Sequence, residues 1–319
     1  MESELHHWKT PPRQYWKSRE TSRSQDHDVW GCVSPVTKVD QFESAFRAAD
    51  KPVFEFLQPV VERALVVTDL RGAGATAFRD QVRDFLAVLG NGVQWVLADS
   101  DSFDTTDALL ERVHQLRPDL ICTYRNLHSE AWRWPYSLGE HLDVLTQIAA
   151  CPVLVLPHPR VTRTNGHTLQ GTDIVMAVTT HLAGDNSLVN NAAGFTNDGG
   201  ILWLAHVEDE RSFGRFIDAI SKIDAIDTDT ARERILAQML KEPGDYIRSC
   251  REVIVTHRPS VHVEKIVTVG SRLTEFRRLI DKYSVDLLVM HTKDEDQSAM
   301  HGLAYPLAVE LRETPLLLL

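Results

Sequence analysis

Cys151-Pro152-Val153-Leu154-Val155-Leu156 and Thr314-Pro315-Leu316-Leu317-Leu318-Leu319 are the stretches on which the reading of the fold turns. Each has a small residue, then a proline, then an unbroken apolar run. A strand without polar alternation is covered on both faces, as in a parallel sheet flanked by helices. Counting back from each proline, Gly139 and Gly302 occupy the same place without a gap. Further upstream, Arg117-Pro118-Asp119-Leu120-Ile121 matches Ser284-Val285-Asp286-Leu287-Leu288. A helix-opening glycine, a helix and a proline-led last strand, met twice in the same order, point to an internal repeat.

The elements between these landmarks alternate. Ala64 to Asp69 reads as a first strand, Arg71-Gly72-Ala73-Gly74 as a turn, and Ala75 to Leu89 as a helix. Strands at 93–98 and 119–123 follow, with a helix at 107–116 between them and another at 139–149 before the first proline-led strand. After His158 the chain is rich in Pro, Gly, Thr and Asn, which reads as a linker. The pattern then restarts: strands at 173–178, 201–207, 261–269 and 286–290, a helix at 186–193, a long helical region over 212–256 broken near Pro243-Gly244, and a helix at 273–282. A helix at 303–311 precedes the closing strand, and another is expected at 39–49. Strands alternating with helices make doubly wound parallel sheets.

The expected fold is therefore α/β: two flavodoxin-like, Rossmann-like doubly wound parallel sheets in tandem. The first repeat is shortened, because only one strand lies between Asp69 and Asp119. The domain reading is an N-terminal extension over 1–60, partly disordered; a first repeat over 61–157; a linker over 158–172; and a second repeat over 173–319.

Composition narrows the partners. The 319 residues carry 34 Lys and Arg against 45 Asp and Glu, a net charge of −11. That balance repels a phosphate backbone and an anionic bilayer, so neither nucleic acid nor membrane is expected. Four cysteines, Cys32, Cys122, Cys151 and Cys250, stand far apart with no CxxC pair, which fits a reducing, cytoplasmic setting. The first residues hold no apolar core of a secretory signal, and the apolar run at the C-terminus is too short to span a bilayer.

The ordered motifs resemble those of the universal stress protein family in its tandem, two-repeat form. Asp69 follows the first strand, Asp286-Leu287-Leu288-Val289-Met290 resembles the family's fourth strand, and Cys151-Pro152-Val153-Leu154-Val155 its last. Leu204-Ala205-His206-Val207 resembles its second strand. The resemblance covers about 62–157 and 173–319 and implies a stress-response or regulatory binding protein. It also implies an intramolecular pseudo-dimer paired through its last strands, with protein partners or a homodimer beyond that.

ATP-binding members of that family carry a Gly-x-x-Gly pair and, further on, a Gly followed by Ser or Thr. Such glycines let backbone N–H groups close on phosphates at a helix N-terminus. Here the stretch Tyr124 to Pro135 has no glycine, nor does His291 to Ser298, which instead holds Asp294, Glu295 and Asp296. Only the last glycine survives in each half, Gly139 and Gly302, followed by Glu140 and Leu303. Binding of ATP or AMP in that mode is not expected; both glycines read as helix entries packed against backbone. If a divergent nucleotide site exists, making the protein an adenine-nucleotide switch or weak ATPase, its residues are Asp69, Asp99 and Gly139, or Val178, His206 and Gly302. Asp69 reads either as an adenine or ribose contact or, preferably, as a turn cap.

Other constellations carry less. Fourteen histidines include no HxH or HExxH pattern, so no metal site is expected. No GxSxG elbow is present, and Cys122 and Cys151 read as buried, so no catalytic residue is assigned. Trp132-Arg133-Trp134-Pro135-Tyr136 is the most unusual stretch. Trp132, Trp134 and Tyr136 read equally as a lid, a partner surface, or rings folded back over the sheet. His301 and Tyr305 hold the matching place in the second repeat.

Overall fold

The computed structural model describes residues 53–134, 137–160, 169–179, 182–292 and 303–319, all within one compact unit. The helix expected at 39–49, and Cys32, Tyr136, Gly302 and the acidic stretch 294–296, lie outside the described residues.

Among the described residues nine strands run as β1 (Arg63–Val67), β2 (Gln94–Ala98), β3 (Leu120–Tyr124), β4 (Val153–Leu156), β5 (Ile174–Thr179), β6 (Ile201–Asp209), β7 (His262–Gly270), β8 (Leu287–Met290) and β9 (Leu316–Leu318). Eight helices join them: α1 (Gly72–Phe85), α2 (Thr106–Leu116), α3 (Glu140–Ile148), α4 (Asn186–Gly194), α5 (Glu210–Ile220), α6 (Thr228–His257), α7 (Arg272–Tyr283) and α8 (Ala304–Glu310). The sheet order is β2-β1-β3-β4-β9-β8-β5-β6-β7. Read outward from the middle, each half repeats one pattern, and the second half adds β7 at the edge. The missing strand of the first half is thus an outer one.

The two sheets expected in tandem are one sheet. β4 and β9, the proline-led strands, pair antiparallel with Val153 opposite Leu318 and Val155 opposite Leu316, whereas every other pairing is parallel. Both strands are buried along their length, so pairing each edge with the other removes two apolar edges at once.

The matched aspartates do the same work in each half. Asp119 Oδ2 accepts the amides of Glu62 and Arg63 at the entry to β1, and Asp286 Oδ2 accepts that of Ile174 at the entry to β5. The residue two before each aspartate, Arg117 or Ser284, ends its helix in the left-handed region, with φ of 46° and 50°. Helix starts follow local chemistry: Thr105, Asp185 and Asp209 accept amides at the first turns of α2, α4 and α5.

Three boundaries differ from expectation. α6 runs through Pro243 without ending, and the break falls at 221–227 instead. A proline forfeits one helical hydrogen bond, but Tyr246, Ile247, Cys250 and Ile254 bury the following turns in the core. Residues 53–60, assigned to the extension, pack on the second half: Phe54 is buried and meets Tyr246 edge-on at 6.4 Å. Asn190 on α4 accepts the Leu57 amide and donates to the Glu55 carbonyl, both at 3.0 Å. Finally, the ends of the expected linker are integral to the fold, because His158 and Thr172 are buried.

Candidate functional site

The site is built at the carboxyl ends of β1 and β3, where an open parallel sheet leaves a crevice. Asp69, just past β1, accepts a short hydrogen bond from the Tyr124 hydroxyl and, at 3.0 Å, the amide of His128. Tyr124 at the end of β3 also meets the Thr68 hydroxyl at 2.7 Å and accepts the Asp69 amide at 3.1 Å. Phe78 packs edge-on against the Tyr124 ring at 5.1 Å. Burial first, and then the neighbouring Asp69, push the phenol well above its ordinary range, so it stays protonated and donates. Asp69 is half-buried, with one carboxylate oxygen taken by Tyr124 and the other by His128. It ties the end of β1 to the end of β3 and to the loop beyond.

That loop closes on itself. Asn126 takes φ of 57° and donates its amide to the Leu138 carbonyl at 2.8 Å, while its side chain bonds to Ser137. Gly139 precedes α3 with φ of 94°, and a Cβ there would lie 2.7 Å from the Asn126 Cα. The packing reading of Gly139 is the one its surroundings support. Asp99, by contrast, holds its own turn, accepting from the Asp101 amide and the Ser102 hydroxyl.

The second set is only partly assembled. Val178 is buried inside β5, and His206 stands on β6 beside Thr179 in register. His206 reaches Glu208 at 3.4 Å. On the neighbouring loop, His291 pairs with Asp185 at 3.0 Å.

The aromatic loop divides. Trp132 lies flat on His158, ring centres 4.8 Å apart and 10° from parallel, so it folds back over the sheet end. Trp134 is 54% exposed and keeps the character of a surface residue. Behind Trp132 is a small, partly open space lined by Arg125, Asn126, Ser137, His158, Val309 and Arg312 together with both tryptophans. Arg125 and Arg312 are absent from every sequence motif above; an arginine directly after the apolar β3 was the one available signal. Burial, and then Arg312, pull the Arg125 guanidinium down to about 9, still protonated at neutral pH.

None of the three described thiols is poised to react. Burial raises Cys122 and Cys250 far above the usual thiol range and brings Cys151 to about 11. Among the described residues no group of three or more His, Cys, Asp or Glu is placed to hold a metal. No described helix is long and apolar enough to cross a membrane.

No family model matches the chain, and no curated protein does. Solved structures do. In fold, the chain is similar to universal stress proteins. A protein described as a universal stress protein from Pseudomonas aeruginosa UCBPP-PA14 is 14% identical, with TM-score 0.46, over 81% of this chain and 93% of that one. A universal stress protein from Archaeoglobus fulgidus DSM 4304 is 12% identical, with TM-score 0.44, over 82% and 97%. A protein of unknown function from Pseudomonas aeruginosa PAO1 is 14% identical, with TM-score 0.45, over 81% and 92%.

Proposed function

We propose that the chain is a regulatory, stress-response binding protein of the universal stress protein type. It acts through association rather than catalysis and does not cradle a nucleotide in the loop after β3. The observation that carries this reading is the occupancy of that loop by the protein itself. The Asp69 carboxylate is taken by Tyr124 and His128, and the space over Gly139 is taken by Asn126. A phosphate arriving there would have to displace all of these contacts. The raised thiols of the three described cysteines, Cys122, Cys151 and Cys250, fit a non-catalytic role. The half-exposed Trp134 offers a partner an anchoring ring. The setting we assign is cytoplasmic, with protein partners or a second copy of the chain as the associate.

The test is thermal melting of the purified full chain with and without millimolar ATP, AMP and Mg²⁺, joined to mass spectrometry of whatever co-purifies. Ligands that bind only the native state raise the midpoint. We expect no shift and no retained adenine nucleotide. A concentration-dependent rise, or retained nucleotide, would overturn the reading in favour of an adenine-nucleotide switch or weak ATPase.

A further inference from the structure

The space behind Trp132 lies where the two halves of the chain meet, and its chemistry is lopsided. Arg125 is 7% exposed. Its Nη atoms reach the Val309 and Leu311 carbonyls at the end of α8, but its Nε has no hydrogen-bond partner. Arg312 donates to the Trp132 carbonyl. The Trp132 indole N–H is buried and also has no partner. His158 accepts the Arg160 amide on Nδ1, so its neutral ring keeps the proton on Nε2 and adds a further donor to the lining.

Among the described residues neither Arg125 nor Arg312 forms an ion pair with a carboxylate. The carbonyls at the end of α8 offset part of one positive charge. The partly buried Arg312 guanidinium adds a second positive charge beside it, and the two orphaned N–H donors, on Arg125 and Trp132, are buried without a partner, which is unfavourable. A water could accept from the donors but would leave the charge unbalanced. The space, which opens partly to solvent, is about 10 Å³, which is room for one water-sized occupant.

We propose that this junction seats one small inorganic anion, either a chloride ion or a single oxygen of orthophosphate, held by the Arg125 and Trp132 N–H donors and the charge of Arg312. Arg125 and Trp132 come from the first half and Arg312 from the second, so the anion fastens one half to the other. The site uses none of Asp69, Tyr124 or His128, and stands or falls apart from the nucleotide reading.

The experiment is thermal melting of the full chain at constant ionic strength, in sodium gluconate exchanged stepwise for chloride or, separately, for phosphate. The wild type is expected to gain roughly 2–4 °C per tenfold increase once the site begins to saturate. The chloride and phosphate arms identify which ion is held. Trp132→Phe keeps the ring stack on His158 but lacks the N–H, and Arg312→Gln lacks the charge without disturbing the buried Arg125. Each is expected to weaken the apparent affinity by about tenfold or more. A wild-type midpoint flat in both salts means the space holds only water and overturns the proposal. So does a shift that both variants retain in full, because the anion then binds elsewhere. An ATP-dependent shift that survives in Trp132→Phe would count against the proposed function alone, and not against the anion site.

Discussion

His158 shows how a single residue reports its surroundings. Its ring is sandwiched between Tyr124 and Trp132 and is 5% exposed. Burial pulls its pKa down to about 4, against the opposing pull of Asp69 and Glu130 and with the help of Arg160 and Arg312. His141 is lowered as well, by burial first and then by His128. A base with a depressed folded pKa is stabilising while neutral. The unfolded chain takes up the proton first, so stability falls as pH drops below the ordinary histidine value and goes on falling towards 4. The pocket opens partly to solvent, so the full shift is not realised, and the loss from His158 between pH 7 and pH 5 is about 1–2 kcal/mol. Urea melts at those two pH values check it. His158→Gln should flatten the dependence, and a slope unchanged in that variant would refute the assignment.

Among the elements, the segment 53–60 departs furthest from its sequence reading. Its polar neighbours and prolines read as part of a loose extension. In the fold it lies along α4, with Pro59 against Gly194 and Phe56 stacked on His257 at 5.0 Å. Val53, Leu57 and Val60 remain exposed, so no apolar periodicity marked the buried Phe54. Asn190 is the polar link, and both of its hydrogen bonds run to backbone in this segment. Asn190→Ala is expected to destabilise the chain by about 1–3 kcal/mol through the orphaned Leu57 amide and Glu55 carbonyl. It should also make the bond after Arg63 more open to limited trypsin digestion. A variant as stable and as resistant as the wild type would show that the segment is held by Phe54 alone. The continuation of α6 through Pro243 teaches the same lesson: a local breaker yields when the flanking turns are well buried.

On the scale of the whole molecule, the continuous sheet decides what can exist alone. β4 is fully buried and relies on β9 for one edge, over Val153 to Val155. Cut from the second half, the first half would present that apolar edge to solvent, along with the bare face left by α8 and Leu311. Residues 53–160 expressed alone are expected to aggregate. Size-exclusion chromatography with light scattering, followed by a melt, checks this, and a monodisperse fragment that melts cooperatively would refute it.

What was legible in the sequence was local. Apolar runs led by Pro152 and Pro315, the aspartates at 119 and 286, and the glycine before each last helix are read a few residues at a time. They carried the α/β class, the internal repeat and the shortening of the first half, whereas the strand order and the outer place of the missing strand came from the sheet itself. The occupation of Gly139 by backbone was legible for the same reason, because a positive φ at a helix entry is a local demand. What only the tertiary structure decided is long-range. Arg125 meets the Leu311 carbonyl across a sequence separation of 186, and Arg312 meets Trp132 across 180. Asp69 finds Tyr124 across 55. No period or spacing encodes such meetings. The Asp69–Tyr124 contact follows from the parallel pairing of β1 with β3, and the two arginine contacts from the antiparallel docking of β4 on β9, which buries two edges together and brings two arginines and an indole into one small space between the halves.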